Sequence, residues 1–299
     1  MIIFAPNNKY MARIVGIGET IYSIVMKNNL PQEGKPDGDI FNTMIVLGRK
    51  GLDATMISEV ANDRLGHQIL DFMQANGVKT ESMYVYYEGR TPLAIAHVEE
   101  SGRMDYDYYL SYPATPRLDV VWPRFDDVDY LVFGSTYVLL EPVHNTVMDL
   151  VNFAYDRRAT IVYCPNLQHL EAGQSVWLMP AVIDCLEKTS LLVMKESDML
   201  QLYKDANPDS VYRNDVRFYC PVFMAMMDDG KVCLRTPSVS KDYLPEAGSG
   251  WTEAFGKADA FRAGIVHGIH QQGANRESLK ALSETSWDKI VGEAFTFQL

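Results

Sequence analysis

Six short runs rich in β-branched and apolar residues punctuate the chain: RIVGIG (residues 13–18), ATMISEV (54–60), DYLVFGS (129–135), ATIVYCP (159–165), SLLVM (190–194) and VFMAMM (222–227). Helical patterns lie between them. IFNTMIVLGRKG (40–51) carries Ile40, Met44, Ile45 and Leu47 at helical spacing and stops at Gly48 or Gly51. DRLGHQILDFMQANG (63–77) places Leu65, Ile69, Phe72 and Met73 on one face, with Gly77 as its stop, and HNTVMDLVNFAYDRR (144–158) is a further helix. Strands alternating with helices predict a mostly parallel sheet covered on both faces, because parallel neighbours need long crossovers and helices supply them. One stretch breaks the pattern. TPLAIAHVEESGRMDYDYYL (91–110) holds two β-like runs joined at Glu-Ser-Gly, the second alternating Met104, Tyr106 and Tyr108 with Asp105 and Asp107. That predicts a hairpin, a β-flap set apart from the main layer. Residues 27–39, rich in Asn, Pro, Gly and Asp, read as a loop.

At 299 residues the chain fits one large α/β unit, alone or with a small appendage. Its 27 basic residues against 39 acidic ones leave a net charge of −12, which repels nucleic acid and anionic lipid, so neither is an expected partner. A small anionic ligand is still compatible, since a local cluster of amides outweighs the global sign. Cys164, Cys185, Cys220 and Cys233 are scattered without CxxC spacing and read as buried thiols of a cytoplasmic protein. Only MIIFA precedes Pro6, too short for a signal-peptide core, and Met11 opens MARIVGIGE, so the first ten residues read as an extension or a misplaced start. No run approaches the roughly 20 apolar residues of a membrane helix.

GIGETI (16–21) begins like a dinucleotide fingerprint but has Ile21 where the third glycine belongs; no P-loop, HExxH or GxSxG motif occurs. His267 and His270 stand three apart with no third ligand and read as packing or solvent-facing side chains. Two segments carry chemistry. In PDGDIFNT (36–43), Gly38, Asp39 and Asn42 form either an N-capped helix start or an edge that grips the hydroxyls of a polyol. In FGKADAFRAGIVHG (255–268), Gly256, Ala258 and Asp259 stand just ahead of an apolar run expected to be helical. A carboxylate beside helix N-terminal amides can activate a hydroxyl where those amides hold a phosphate; the plainer alternative is an acid favoured by the helix dipole.

GIGE after the first strand, GDxxNT at the first helix, ISEVANDRLG followed by GV, and ADAFRAG near the C-terminus occur in an order that resembles the ribokinase-like, or PfkB, family of carbohydrate kinases over nearly the whole chain. The GDxxNT wording is closest to the fructokinase and 2-keto-3-deoxygluconate kinase branches. The resemblance implies one domain, residues 1–299, of three-layer α/β/α build with a mostly parallel central sheet, and a small β-sheet lid formed by about 20–40 and 88–112. It implies phosphorylation of a sugar or sugar-acid hydroxyl using ATP and Mg2+, and a homodimer paired through the lid. Asp259 would be the base, with Gly256, Lys257 and Ala258 as the anion hole. Ser23, Gly38, Asp39, Asn42, Tyr106, Tyr108 and Gln168 would meet the substrate. Lys195, Asp198, Ala225, Met227 and Gly230 would meet the nucleotide, with Asp198 acting indirectly on magnesium.

The chain also departs from the family's patterns. GKAD (256–259) replaces GAGD, and Ala258 costs roughly 1 kcal/mol or more wherever that position requires positive φ. Lys257 either adds positive charge to a bound phosphate or fills the hole itself. Ser23 stands where the family has a sugar-binding acid, and Cys164 and Gln168 replace the acid and the arginine of DPNxR. Lys195 replaces the asparagine of NxxE, Ala225 and Met227 replace the threonine and first glycine of TxGxxG, and Leu110 replaces a lid arginine. These losses favour a second reading, a catalytically inactive homologue that binds a sugar or nucleotide or serves in assembly.

Overall fold

Along the central strands, adjacent residues divide between two cores. Ile14, Val132, Val162, Val193 and Met224 face one, while Val15, Leu131, Ile161, Leu192 and Phe223 face the other. That is the two-residue period of a strand buried on both faces, and it explains why these runs are continuously apolar. The computed structural model describes residues 12–98, 104–110, 118–141, 143–167, 174–245 and 256–299. Its strands are β1 (Arg13–Ile17), β2 (Ile21–Lys27), β3 (Leu30–Asp37), β4 (Asp53–Ala61), β5 (Val78–Lys79), β6 (Met83–Tyr86), β7 (Leu93–Val98), β8 (Met104–Tyr109), β9 (Tyr130–Gly134), β10 (Thr160–Cys164), β11 (Leu191–Lys195), β12 (Val222–Met226), β13 (Val232–Arg235) and β14 (Ser240–Tyr243). The α-helices are α1 (Asp39–Arg49), α2 (Arg64–Ala75), α3 (Val143–Asp156), α4 (Gln174–Glu187), α5 (Glu196–Tyr203), α6 (Pro208–Val211), α7 (Lys257–Gln271), α8 (Arg276–Leu279) and α9 (Glu284–Ala294).

The large sheet runs β14-β13-β12-β11-β10-β9-β1-β4-β5, with β6 paired to β4. From β12 to β5 every pairing is parallel; β13 and β14 extend it antiparallel. Residues of α1, α2, α7 and α9 fill one core and residues of α3, α4 and α5 the other, giving three layers. The six sequence runs are six of these strands.

A separate four-stranded sheet has the order β3-β2-β7-β8. The expected pairing of 91–98 with 104–110 is present as antiparallel β7 and β8. The expected loop at 27–39 is corrected: most of it is β3, joined to β2 through Asn28 and Asn29 at φ 52° and 60°. Asparagine tolerates that left-handed backbone, and two such residues make the turn that matches strand twist. Pro31 and Pro36 are accommodated because β3 is an edge strand. Asp63 roots the lid. It caps α2 through Gly66 N at 2.9 Å and also accepts from Thr91 N at 2.9 Å and Thr91 Oγ1 at 2.8 Å, just before β7.

Candidate active site

Strand order reverses at β1, where the chain continues to β4 on one side in the sheet and later returns to β9 on the other, and α1 and α7 begin where the parallel strands end. In open α/β sheets such a crevice is where ligands bind. Gly256 sits ahead of α7 at φ 73°, a left-handed conformation, and a Cβ there would lie 2.2 Å from Leu299 Cδ2. Ala258 lies inside the first helical turn, so the strain expected of it does not arise; the conformational demand falls on Gly256, which is glycine. The first intrahelical bond is Ala260 N to Gly256 O at 2.9 Å, so the amides of Lys257, Ala258 and Asp259 precede the helical ladder and point outward along the dipole. Lys257 is half-buried beside them.

Helices α1 and α7 pack side by side, and this brings Asn42 against Asp259. Asn42 Nδ2 donates to Asp259 Oδ2 at 2.9 Å and to Asp37 Oδ1 at 2.7 Å. Asp37 also accepts from Ser23 Oγ at 2.6 Å and Gly38 N at 2.8 Å. Arg262 Nη1 donates to Asp259 Oδ1 at 2.7 Å. Asp37, Asn42, Asp259 and Arg262 are all buried. Burial, followed by the charge of Asp39, lifts Asp259 to about 7, against the opposing pull of Arg262, Lys195 and the Asn42 hydrogen bond. Burial likewise raises Asp37. Asp39, half-exposed at the start of α1, accepts from the Asn166 amide, and Thr136 Oγ1 donates to Asn166 O at 2.7 Å.

The lid overhangs these carboxylates. Tyr106 and Tyr108, two apart on β8, stack with centroids 5.8 Å apart and planes at 20°. Burial and then surrounding negative charge, including Asp37 and Asp39, raise both phenols. On the other side of the crevice, Asp198 is fully buried; it accepts from Leu167 N at 2.9 Å and Lys195 N at 3.3 Å, so both its oxygens brace the ends of β10 and β11. Burial lifts it to about 6. The side chains of Ala225 and Met227 are turned into the core beside α5. Gly230 turns β12 into β13 at φ 89°, with Gly230 N donating to Met227 O at 3.0 Å. Gln168, like the stretch 246–255 that leads into Gly256, lies outside the described residues, as do residues 1–11. Leu110 is exposed at the end of the lid.

A family profile described as pfkB family carbohydrate kinase matches residues 13–216, more than half of the chain. The chain belongs to the pfkB family of carbohydrate kinases. Probable fructokinase-4 of Arabidopsis thaliana is 26% identical over 140 residues, which covers 44% of this chain and 42% of that protein. The match thus spans under half of this curated relative's length. Among solved structures, a fructokinase double mutant from Vibrio cholerae O395 in a fructose-, ADP- and potassium-bound form superposes with a TM-score of 0.81 at 15% identity, covering 95% of this chain and 90% of that one. Aminoimidazole riboside kinase from Salmonella enterica, complexed with aminoimidazole riboside and an ATP analogue, gives 0.75 at 14% identity, covering 94% and 91%. The mostly parallel sheet and separate small sheet are the fold of this kinase family.

Within the pfkB frame, Gly38, Asp39, Asn42, Ser23, Asp259 and the lid tyrosines lie around one crevice. Three residues absent from the sequence expectation belong there too: Asp37, Asn166 and Arg262. Ser23 reaches the site through Asp37, whose carboxylate it supports.

Proposed function

We propose that the chain transfers the γ-phosphoryl group of ATP to a hydroxyl of a sugar or sugar acid, with Asp259 as general base. The observation that carries this reading is Asp259 itself: a buried carboxylate in the first turn of α7, fixed by Asn42 and Arg262 and brought by burial to about 7. A base works best when its pKa lies near the working pH. Asp259 takes the hydroxyl proton; the oxygen forms a bond to the γ-phosphorus while that atom's bond to the β,γ-bridging oxygen breaks, and ADP leaves. The α7 amides and Lys257 face the equatorial oxygens, where positioning and charge carry most of the rate. Asp37 and Asn42 order the acceptor hydroxyls from below, and Tyr106 and Tyr108 close over them.

The described residues contain no group of three or more His, Cys, Asp or Glu side chains able to hold a metal ion. Magnesium, which keeps waters and binds through substrate phosphates, fits a site of this kind as a partner of ATP rather than of a protein cage, and would supply charge neutralisation there. Asp198 supports that side by bracing the strand ends. Backbone at the Gly230 turn, rather than the side chains of Ala225 and Met227, is left to meet the nucleotide.

ADP release measured with ATP and Mg2+ against ketoses, pentoses and sugar acids is expected to depend on one of them, with fructose the first to try because the relatives above carry that name. Sugar-dependent thermal stabilisation with no ADP release from any acceptor would instead support the inactive, ligand-binding reading. The lid reading extends to assembly. β8 is an edge strand with Tyr109 and Leu110 exposed, a surface suited to pairing with a second copy. Sedimentation at micromolar concentration is expected to give a dimer, and a monomer there removes the extension.

A further inference from the structure

Among the described residues, Arg262 is the largest fully buried charged side chain, 1% exposed and three residues after Asp259 on α7. One of its nitrogens pairs with Asp259; Nε and Nη2 are buried without a hydrogen-bond partner among the described residues. A cation in that position is costly unless nearby charge balances it. Its surroundings supply that charge: Asp259 first, then Asp39 at the start of α1 and Asp198 on α5. Other groups face Asp259 from each packed element. Asp37 lies across Asn42 at the end of β3, Lys195 ends β11, Lys257 opens α7, and Tyr106 overhangs from the lid. Asn42 is neutral and already donates to both carboxylates. Among these groups, Arg262 is the cation hydrogen-bonded directly to Asp259.

We propose that Arg262 is a positioning residue that keeps Asp259 ionised and fixes its Oδ1, offsetting both the neighbouring carboxylates and the negative charge that a triphosphate brings into the crevice. This rests on Asp259 acting as the base. The ion pair lies on the buried side of the helix, so it holds the carboxylate without occupying the crevice. The unpaired nitrogens then have a reason: Arg262 is placed for its charge among several acids, and one hydrogen bond fixes the acid that reacts.

The test uses the full chain with Arg262→Met, Arg262→Gln and Arg262→Lys. With fructose, ATP and Mg2+, the acidic limb of kcat/KM is expected to move to higher pH by about one to three units in the Met and Gln variants, the range by which a close opposite charge shifts a carboxylate. Their activity should recover at alkaline pH, while Lys keeps the limb near its original place. A uniform loss at every pH, or equal limbs for Lys and Gln, overturns the proposal and leaves Arg262 a packing residue. A second readout needs no turnover. The melting temperature of Arg262→Gln relative to the unmodified chain should fall further at pH 8.5 than at pH 5, because only ionised Asp259 needs the cation, and adding Asp259→Asn should abolish that difference. An equal deficit at both pH values overturns the coupling. If fructose and every other acceptor give no turnover while this melting difference is present, the kinase reading fails and the Arg262–Asp259 coupling stands.

Discussion

Replacing Asp259 by Asn is expected to lower kcat by roughly 10²–10⁴-fold, the contribution of a positioned general base, with a much smaller change in the sugar's KM. The substitution preserves shape. An amide oxygen can still accept from Arg262 and the volume is unchanged, while the new NH2 gives up the hydrogen bond from Asn42 Nδ2, which keeps its bond to Asp37. What it removes is the proton acceptor. Sugar-induced thermal stabilisation should therefore persist, since the substrate contacts assigned to Asp37, Asn42 and the lid tyrosines remain. Activity within about tenfold of the unmodified chain would show that another group takes the proton.

The same carboxylate makes a pH prediction of definite sign. Asp259 titrates near 7 when folded, well above an ordinary carboxylate, chiefly because burial disfavours its charge. Catalysis by the ionised form should therefore decline as pH falls through about 7. Stability moves the other way. Between the ordinary carboxylate range and about 7 the folded state holds a proton that the unfolded chain has lost, so stability falls as pH rises across that window and levels above it. Asp37 and Asp198, also raised by burial, add to the slope, the latter up to about 6. Asp259→Asn should flatten the part of the slope nearest 7, as read from melting temperatures between pH 4 and pH 8.

The contrast between Asp259 and Asp37 explains how much of the site was legible in the sequence. Asp259 stands ahead of an apolar run after a glycine, a local signature, and it lies in the first turn of α7 as expected. Asp37 and Asp39 flank one glycine, and which of them faces inward depends on the φ of 137° at Gly38, a dihedral that no periodicity reports. The expectation gave Asp39 and Asn42 the grip; in the structure Asn42 joins Asp37 to Asp259, and Asp39 turns to Asn166. Arg262 was hidden for a different reason. Helix α7 is buried on nearly every side, so it shows no polar stripe, and the signal was the presence of an arginine in an otherwise apolar run. The central strands were plain because burial on both faces makes them uniformly apolar. β3 was not, because an edge strand is free to be polar and to carry prolines.

Gly38→Ala is expected to damage stability and catalysis together. At φ 137° and ψ 144° the backbone occupies a region that L-residues avoid, and the new Cβ would lie 2.3 Å from Glu19 O and 3.2 Å from Phe41 Cβ. The near atom is backbone just beyond the end of β1, in its connection to β2, so it cannot rotate away as a side-chain tip would. The strained dihedral alone costs on the order of 1–3 kcal/mol, and the collision adds to it. Relief requires moving the β1–β2 connection or the start of α1. Either movement displaces Asp37, whose Oδ1 accepts from Gly38 N, and with it Asn42, which holds Asp259. A fall in melting temperature of roughly 3–10 °C is expected, together with a rise in sugar KM and a loss of kcat. Gly292→Ala is the matched control: it lies within α9 with nothing within 4 Å of an added Cβ, so the methyl should be neutral or slightly stabilising. If both alanine variants melted and turned over like the unmodified chain, Gly38 would not be the hinge on which Asp37, Asn42 and Asp259 are aligned. If Gly38→Ala alone lost activity while retaining its melting temperature, the β1–β2 connection would have yielded cheaply and the alignment of the three side chains would carry the whole effect.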